Sequence, residues 1–182
     1  MGYQATGIKP GNATITITSK TSPNVKTEVP VTVTGTSRNL LSYGPADPVP
    51  GQPDLHVTVT DQGALLLKGT PVKGGALRFA LDPTRFTPGG TYTLSQTPAH
   101  SSAFNVRAAI EHNNGQQITA LWNNDHMTFQ MPDPIQTDLR LNIKFDGEGG
   151  MSGVEYKPQL EAGDTVSAWV RPDTTDATPV EA

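Results

Sequence analysis

Cysteine is absent from the 182 residues. That excludes disulfide stapling and thiolate chemistry, and it leaves a structural zinc ion without its usual soft ligands. Aromatic residues are scarce at 6% and charged residues at 16%, so Thr, Ser, Asn, Gln and backbone must cover much of the surface. There is no basic excess. Thirteen Lys and Arg stand against 17 Asp and Glu, a formal net charge of −4, which argues against nucleic acid or an anionic membrane as partner. No apolar run is long enough to span a bilayer and no signal-peptide core is present, so membrane insertion is not expected. Apolar spacing of three and four residues nowhere persists over three turns, so no helix longer than about two turns is expected.

The chain does hold 18 Gly and 16 Pro without a repeat period. This punctuation suits many short strands and tight turns. In Ala13-Thr-Ile-Thr-Ile-Thr18 apolar and hydroxyl residues alternate with period two, and Val29, Val31 and Val33 repeat the pattern. Turn residues stand at Pro10-Gly11 and at Thr21-Ser-Pro-Asn24. A boundary is expected at Gly35-Thr-Ser-Arg38. Beyond a proline-rich loop from Tyr43 to Pro53, strands are expected near 56–60, 64–69, 76–81, 92–95, 104–111, 116–122, 127–130, 137–145, 154–160 and 166–170. Asn113-Asn-Gly115 between alternating runs predicts a type I′ hairpin. Ten such strands predict an antiparallel sandwich.

The clearest alternation is Leu139 to Phe145, with Leu139, Leu141, Ile143 and Phe145 on one face and Arg140, Asn142 and Lys144 on the other. Tyr92, Leu94, Phe104, Val106, Ile110 and Leu160 are expected to join the first set in one core. Arg107 and Glu111, and Gln159 and Glu161, fall on polar faces by the same parity. Trp122 is in phase with Ala120 and Ile118, which puts it in the core or at a hairpin rim.

The order of landmarks Asn39-Leu-Leu-Ser42, Gly90-Thr-Tyr-Thr-Leu-Ser95, Tyr156-Lys-Pro-Gln-Leu-Glu-Ala-Gly163 and Trp169 resembles the jelly-roll modules of carbohydrate-binding type found at the ends of bacteriophage tail and fibre proteins and on secreted glycosidases. The run Gly7 to Ile17, a turn, and Val29 to Gly35 resembles the last two strands of a bacterial immunoglobulin-like domain of group 2. The resemblance implies an all-β chain. Residues 1–35 would be the end of an immunoglobulin-like sandwich, 36–173 an antiparallel jelly roll, and 174–182 a flexible tail. It also implies that Trp169 closes the module against its first strand. The partners it implies are a host-surface glycan and other virion subunits or upstream immunoglobulin-like strands, with a place on a virion.

A groove of amides, guanidiniums and carboxylates suits sugar hydroxyls, and an aromatic face suits the apolar side of a sugar ring. If the polar faces line one concave sheet, the ligand-binding candidates are Arg107, Trp122, Arg140, Asn142 and Gln159, with Tyr43 in the proline loop held in reserve. No catalytic residue is expected. His56, His100, His112 and His126 form no spaced metal pair, and Asp125-His126 would point to opposite faces of a strand. No cofactor is implied beyond a structural calcium ion, for which 146–151 is the candidate loop. That run lacks EF-hand spacing and reads first as a Gly-rich turn. The expectation is a non-catalytic adhesion module. The alternatives are an accessory module of a secreted enzyme or surface protein, and a spacer or oligomerisation unit without a ligand.

Overall fold

The computed structural model describes residues 11–33 and 37–180. The chain divides into two compact units, Met1–Thr36 and Ser37–Ala182. The expected turn at Pro10-Gly11 and the boundary at 35–38 lie partly outside the described residues. In the first unit β1 (Gly11–Thr18) and β2 (Lys26–Val33) form an antiparallel hairpin with Ile15 opposite Val29. Ile15, Ile17 and Val29 remain exposed, since two strands cannot bury a face by themselves.

The second unit holds β3 (Leu55–Val59), β4 (Leu65–Gly69), β5 (Ala76–Ala80), β6 (Thr91–Thr97), β7 (Val106–His112), β8 (Gln117–Ala120), β9 (His126–Gln130), β10 (Leu139–Phe145) and β11 (Met151–Ala162). The one helical turn among the described residues is a 3-10 turn at Pro83–Arg85, capped by the Asp82 side chain. Two antiparallel sheets result, ordered β5-β10-β7-β8 and β3-β4-β11-β6-β9. The chain passes repeatedly from one sheet to the other. This traversal makes the unit an antiparallel sandwich.

The core is the one that alternation predicts. Leu139, Leu141, Ile143, Phe145, Tyr92, Leu94, Phe104, Val106, Ile110 and Leu160 all lie in one buried cluster. The Gln96 side chain ties the sheets together inside it, its Oε1 accepting from the Ala108 amide (2.9 Å) and from the Tyr156 hydroxyl (2.7 Å). Tyr43 is a core residue rather than a rim candidate. It is fully buried, it donates to the Gly63 carbonyl at 2.9 Å, and burial pushes its phenol pKa up.

Three local expectations change. The hairpin at 113–115 is not type I′, because Gly115 (φ +83°) has positive φ while no residue other than glycine does. Its His112–Gln116 closure is that of a type I turn followed by a left-handed glycine. Val166–Val170 is not a strand. It crosses the outside of the five-stranded sheet as a strap, with the Val170 amide donating to Gln159 Oε1 at 2.7 Å. Trp169 in that strap is half-buried and donates to the Pro158 carbonyl at 3.3 Å. Finally, residues 174–180 are docked, not frayed. Thr174 bridges Ser42, the Ala177 amide donates to the Tyr43 carbonyl (3.2 Å), and the Val180 amide donates to the Arg78 carbonyl (2.9 Å). The tail thereby meets backbone acceptors beside the proline loop and at the otherwise open β5 edge.

Asn39, at the start of this unit, locks strap and sheet together. It is fully buried. Its Nδ2 donates to the Pro158 and Val170 carbonyls, and its Oδ1 accepts from the Leu41 and Leu160 amides.

Candidate functional site

The outer face of the four-stranded sheet is set by its register. Lys144 stands between Ala76 and Arg107, Asn142 between Arg78 and Ala109, and Arg140 between Ala80 and Glu111. Ala109 in turn pairs with Ala120. The small residues leave the middle of this face low. Lys144 reaches across it to the Glu111 carboxylate, and Asn142 Nδ2 donates to Glu111 Oε2 at 2.6 Å. This closure explains why β7 is buried on both faces, Ala109 included.

Arg107, Arg140 and Asn142 therefore share a sheet face, as parity predicts. Gln159 does not belong with them. It lies on the other sheet, which faces away across the core, and the strap covers it. Its Nε2 donates to Glu161 Oε2 (2.8 Å), and Glu161 also accepts from the Ser167 amide (3.2 Å) and hydroxyl and pairs with Arg38 (3.3 Å). Gln159 and Glu161 are 1% and 4% exposed, so they fasten the strap and leave no surface for a ligand. Side-chain parity assigns a face to each strand but does not say which sheet the strand joins.

Arg107 and Asn142 are also buried, at 4% and 3%. Arg107 forms a forked pair with Asp146, Nε to Oδ2 at 2.5 Å and Nη2 to Oδ1 at 3.2 Å. His100 Nε2 approaches the same Asp146 at 3.4 Å. The Asp146 carboxylate is thus committed to a guanidinium, and among the described residues no group of three or more His, Cys, Asp or Glu is placed to hold a metal ion.

Trp122 stacks on Arg107. The Arg107 guanidinium carbon is 3.5 Å from the ring centroid, a cation–π stack. Trp122 is 52% exposed while most other large apolar side chains of the unit are buried. Of the two places that parity allows, the core is excluded. A register shift between Ile110 and Glu111 breaks the phase of β8, so Leu121 turns into the core and Trp122 outward. The exposed amides of Asn123 and Asn124 follow it.

Each histidine lies against an aspartate. His112 Nδ1 is 2.8 Å from Asp138, His56 Nδ1 is 3.0 Å from Asp47, and His126 Nδ1 is 2.7 Å from Asp125. The last pair forms because Asp125 precedes β9, so strand alternation does not separate it from His126. These hydrogen bonds hold the Asp138 and Asp125 carboxyls below the usual range, His112 and His126 being the main cause in each case.

A second concavity of about 380 Å³ opens at the β5 side of the unit. Leu40, Ala80 and Leu81 give it apolar walls, Asp82 and Arg85 supply charge, and Ser42 and Thr174 complete it. Arg85 is fixed by the Leu40 carbonyl (3.2 Å) and by Asp173 (3.6 Å).

No protein-family model matches the chain, and no curated protein matches it. Among solved structures, a chain of the crystal structure of accessory secretory proteins 1, 2 and 3 in Streptococcus pneumoniae is similar over 72% of this chain and 100% of its own, at 11% identity and a TM-score of 0.47.

Proposed function

We propose that this chain is a non-catalytic adhesion module that binds a carbohydrate on a host surface, and that Trp122 is its stacking platform. The observation that carries the reading is the half-exposed Trp122 ring, stacked on the buried Arg107 guanidinium that Asp146 holds in a fork. A free tryptophan side chain loses rotamer entropy on binding, whereas a braced one has already lost it. An amphipathic ring with amides beside it offers what a pyranose needs, an apolar platform and hydrogen-bonding groups at its edge. Arg107 and Asp146 are positioning residues in this reading, and the polar partners are the exposed Asn123 and Asn124 and the partly exposed Lys144 and Arg140.

The order of sequence landmarks supports placing the module on a phage tail or fibre. The exposed apolar side chains of the β1–β2 hairpin support completion of that hairpin by further strands of an immunoglobulin-like domain. The test is a glycan array probed with the parent chain and with Trp122→Ala. Covering one ring face takes roughly a third of the ~200 Å² that a tryptophan can bury, or about 1.5 kcal/mol, so the variant should lose about tenfold in affinity. Equal binding by both would refute the platform. An array blank for the parent, together with a stable oligomer, would favour a spacer.

A further inference from the structure

We infer that the cleft between Leu40, Leu81 and Arg85 is a second subsite for the same glycan, so that the ligand is an extended oligosaccharide rather than a single terminal sugar. This rests on the Trp122 reading and adds the length and direction of the chain that it holds. The geometry is fixed by register. Trp122 lies over Arg107, which pairs with Lys144. Ala80, in the cleft wall, pairs with Arg140, four residues further along β10. From β8 to β5 there are three strand spacings. At about 4.8 Å per spacing and about 3.3 Å per residue, the diagonal is about 20 Å, several sugar rings long.

Polar side chains stand along that diagonal. From Trp122 the line crosses the Lys144–Glu111 pair that covers Ala109, runs beside partly exposed Arg140, and ends at Ala80. A hydroxyl-rich ligand meets the partly exposed Lys144 and Arg140 side chains there, not a dry apolar strip. The cleft at the far end has the chemistry of a sugar subsite: an apolar wall of Leu40 and Leu81, a carboxylate at Asp82, a guanidinium held in place at Arg85, and the residues Ser42 and Thr174. Its volume of about 380 Å³ is within the range of small-ligand sites, and it admits one ring of a longer chain.

The experiment measures affinity against chain length, using cello-, chito- and galacturono-oligosaccharides from mono- to hexasaccharide. The parent, Trp122→Ala and Ala80→Tyr are compared. Ala80 is exposed on an edge strand, where tyrosine is a good strand former, and its ring would fill the cleft. If A80Y lowers the melting temperature, Thr174→Tyr blocks the opposite wall instead. Affinity should climb with length and then level once the chain spans both ends. A80Y should remove that gain, about tenfold for the longest members, and leave the shortest unchanged, while W122A weakens all lengths. A flat length series, or an A80Y loss equal at every length, overturns the second subsite while leaving the Trp122 platform standing. A W122A variant that binds like the parent, or a parent that binds none of the three series, overturns both.

Discussion

Replacing Arg107 by alanine separates a ligand contact from a structural brace. Arg107 is 4% exposed and pairs in a fork with Asp146, whose side chain is about a quarter exposed. Breaking a fully buried pair costs about 3–5 kcal/mol because the surviving charge stays buried. Water reaches Asp146, so a discounted loss of about 2–3 kcal/mol is expected here. The sandwich unit has the size at which 1 kcal/mol moves the melting temperature by roughly 2–4 °C, so R107A should melt about 5–10 °C lower. Arg107→Lys should recover only part of this, since an ammonium cannot make the fork or stack flat on indole. The assay is thermal unfolding of R107A, D146A and the double variant. The cycle should give a coupling of about 1–3 kcal/mol. A melting temperature within 1 °C of the parent, with glycan binding lost, would refute the brace and make Arg107 a direct contact.

Other substitutions probe the frame. Asn39→Ala leaves the Val170 carbonyl and the Leu41 and Leu160 amides without their buried partner, while the Pro158 carbonyl keeps the Trp169 indole, and should cost about 3 kcal/mol, read by chemical denaturation. Gly69 has φ +113° and a β-carbon there would overlap the Asp54 carbonyl oxygen, so Gly69→Ala should be among the most destabilising single changes in β4. A β-carbon at Gly44 would overlap the Ala177 backbone. Gly44→Ala should therefore release residues 174–180 and raise their amide exchange while the core strands stay protected. The Asp138 carboxyl is held below its ordinary 3.8, chiefly by the His112 hydrogen bond. A depressed folded pKa stabilises above the unfolded value and is lost as pH falls through the folded one. Asp138→Asn should accordingly flatten the acid limb of the stability profile below about pH 4.

The strands and the core were legible because each carries its own evidence. In Leu139–Phe145 every second residue is apolar, and all four of those are buried. What parity could not supply is the company a strand keeps. Gln159 and Asn142 read alike, yet one strand joins the five-stranded sheet and the other the four-stranded one. Nor does parity show what lies over an outward side chain. The readable sign was the pair of small residues Ala109 and Ala120, which lower the sheet surface so that Lys144 can lie across it. Val166, Ala168 and Val170 imitate a strand, but the strap is held by side chains, Glu161 to Ser167 and Gln159 to Val170. The polar tail after Pro172 reads as loose because its docking uses backbone groups, to which composition is blind. Parity left Trp122 between core and rim because residues 118, 120, 121 and 122 are all apolar, so only the register shift decides which of them faces the core.

The central claim is that Trp122 meets the ligand. The chain has two tryptophans, so a ¹H–¹⁵N spectrum shows two indole signals, assignable through Trp169→Phe. The indole of Trp169 donates to the Pro158 carbonyl and should stay still. On titration with an oligosaccharide that binds on the array, the Trp122 signal should shift and saturate along with the binding curve. Saturation with the Trp122 signal unmoved, or with only Trp169 shifting, would contradict the account.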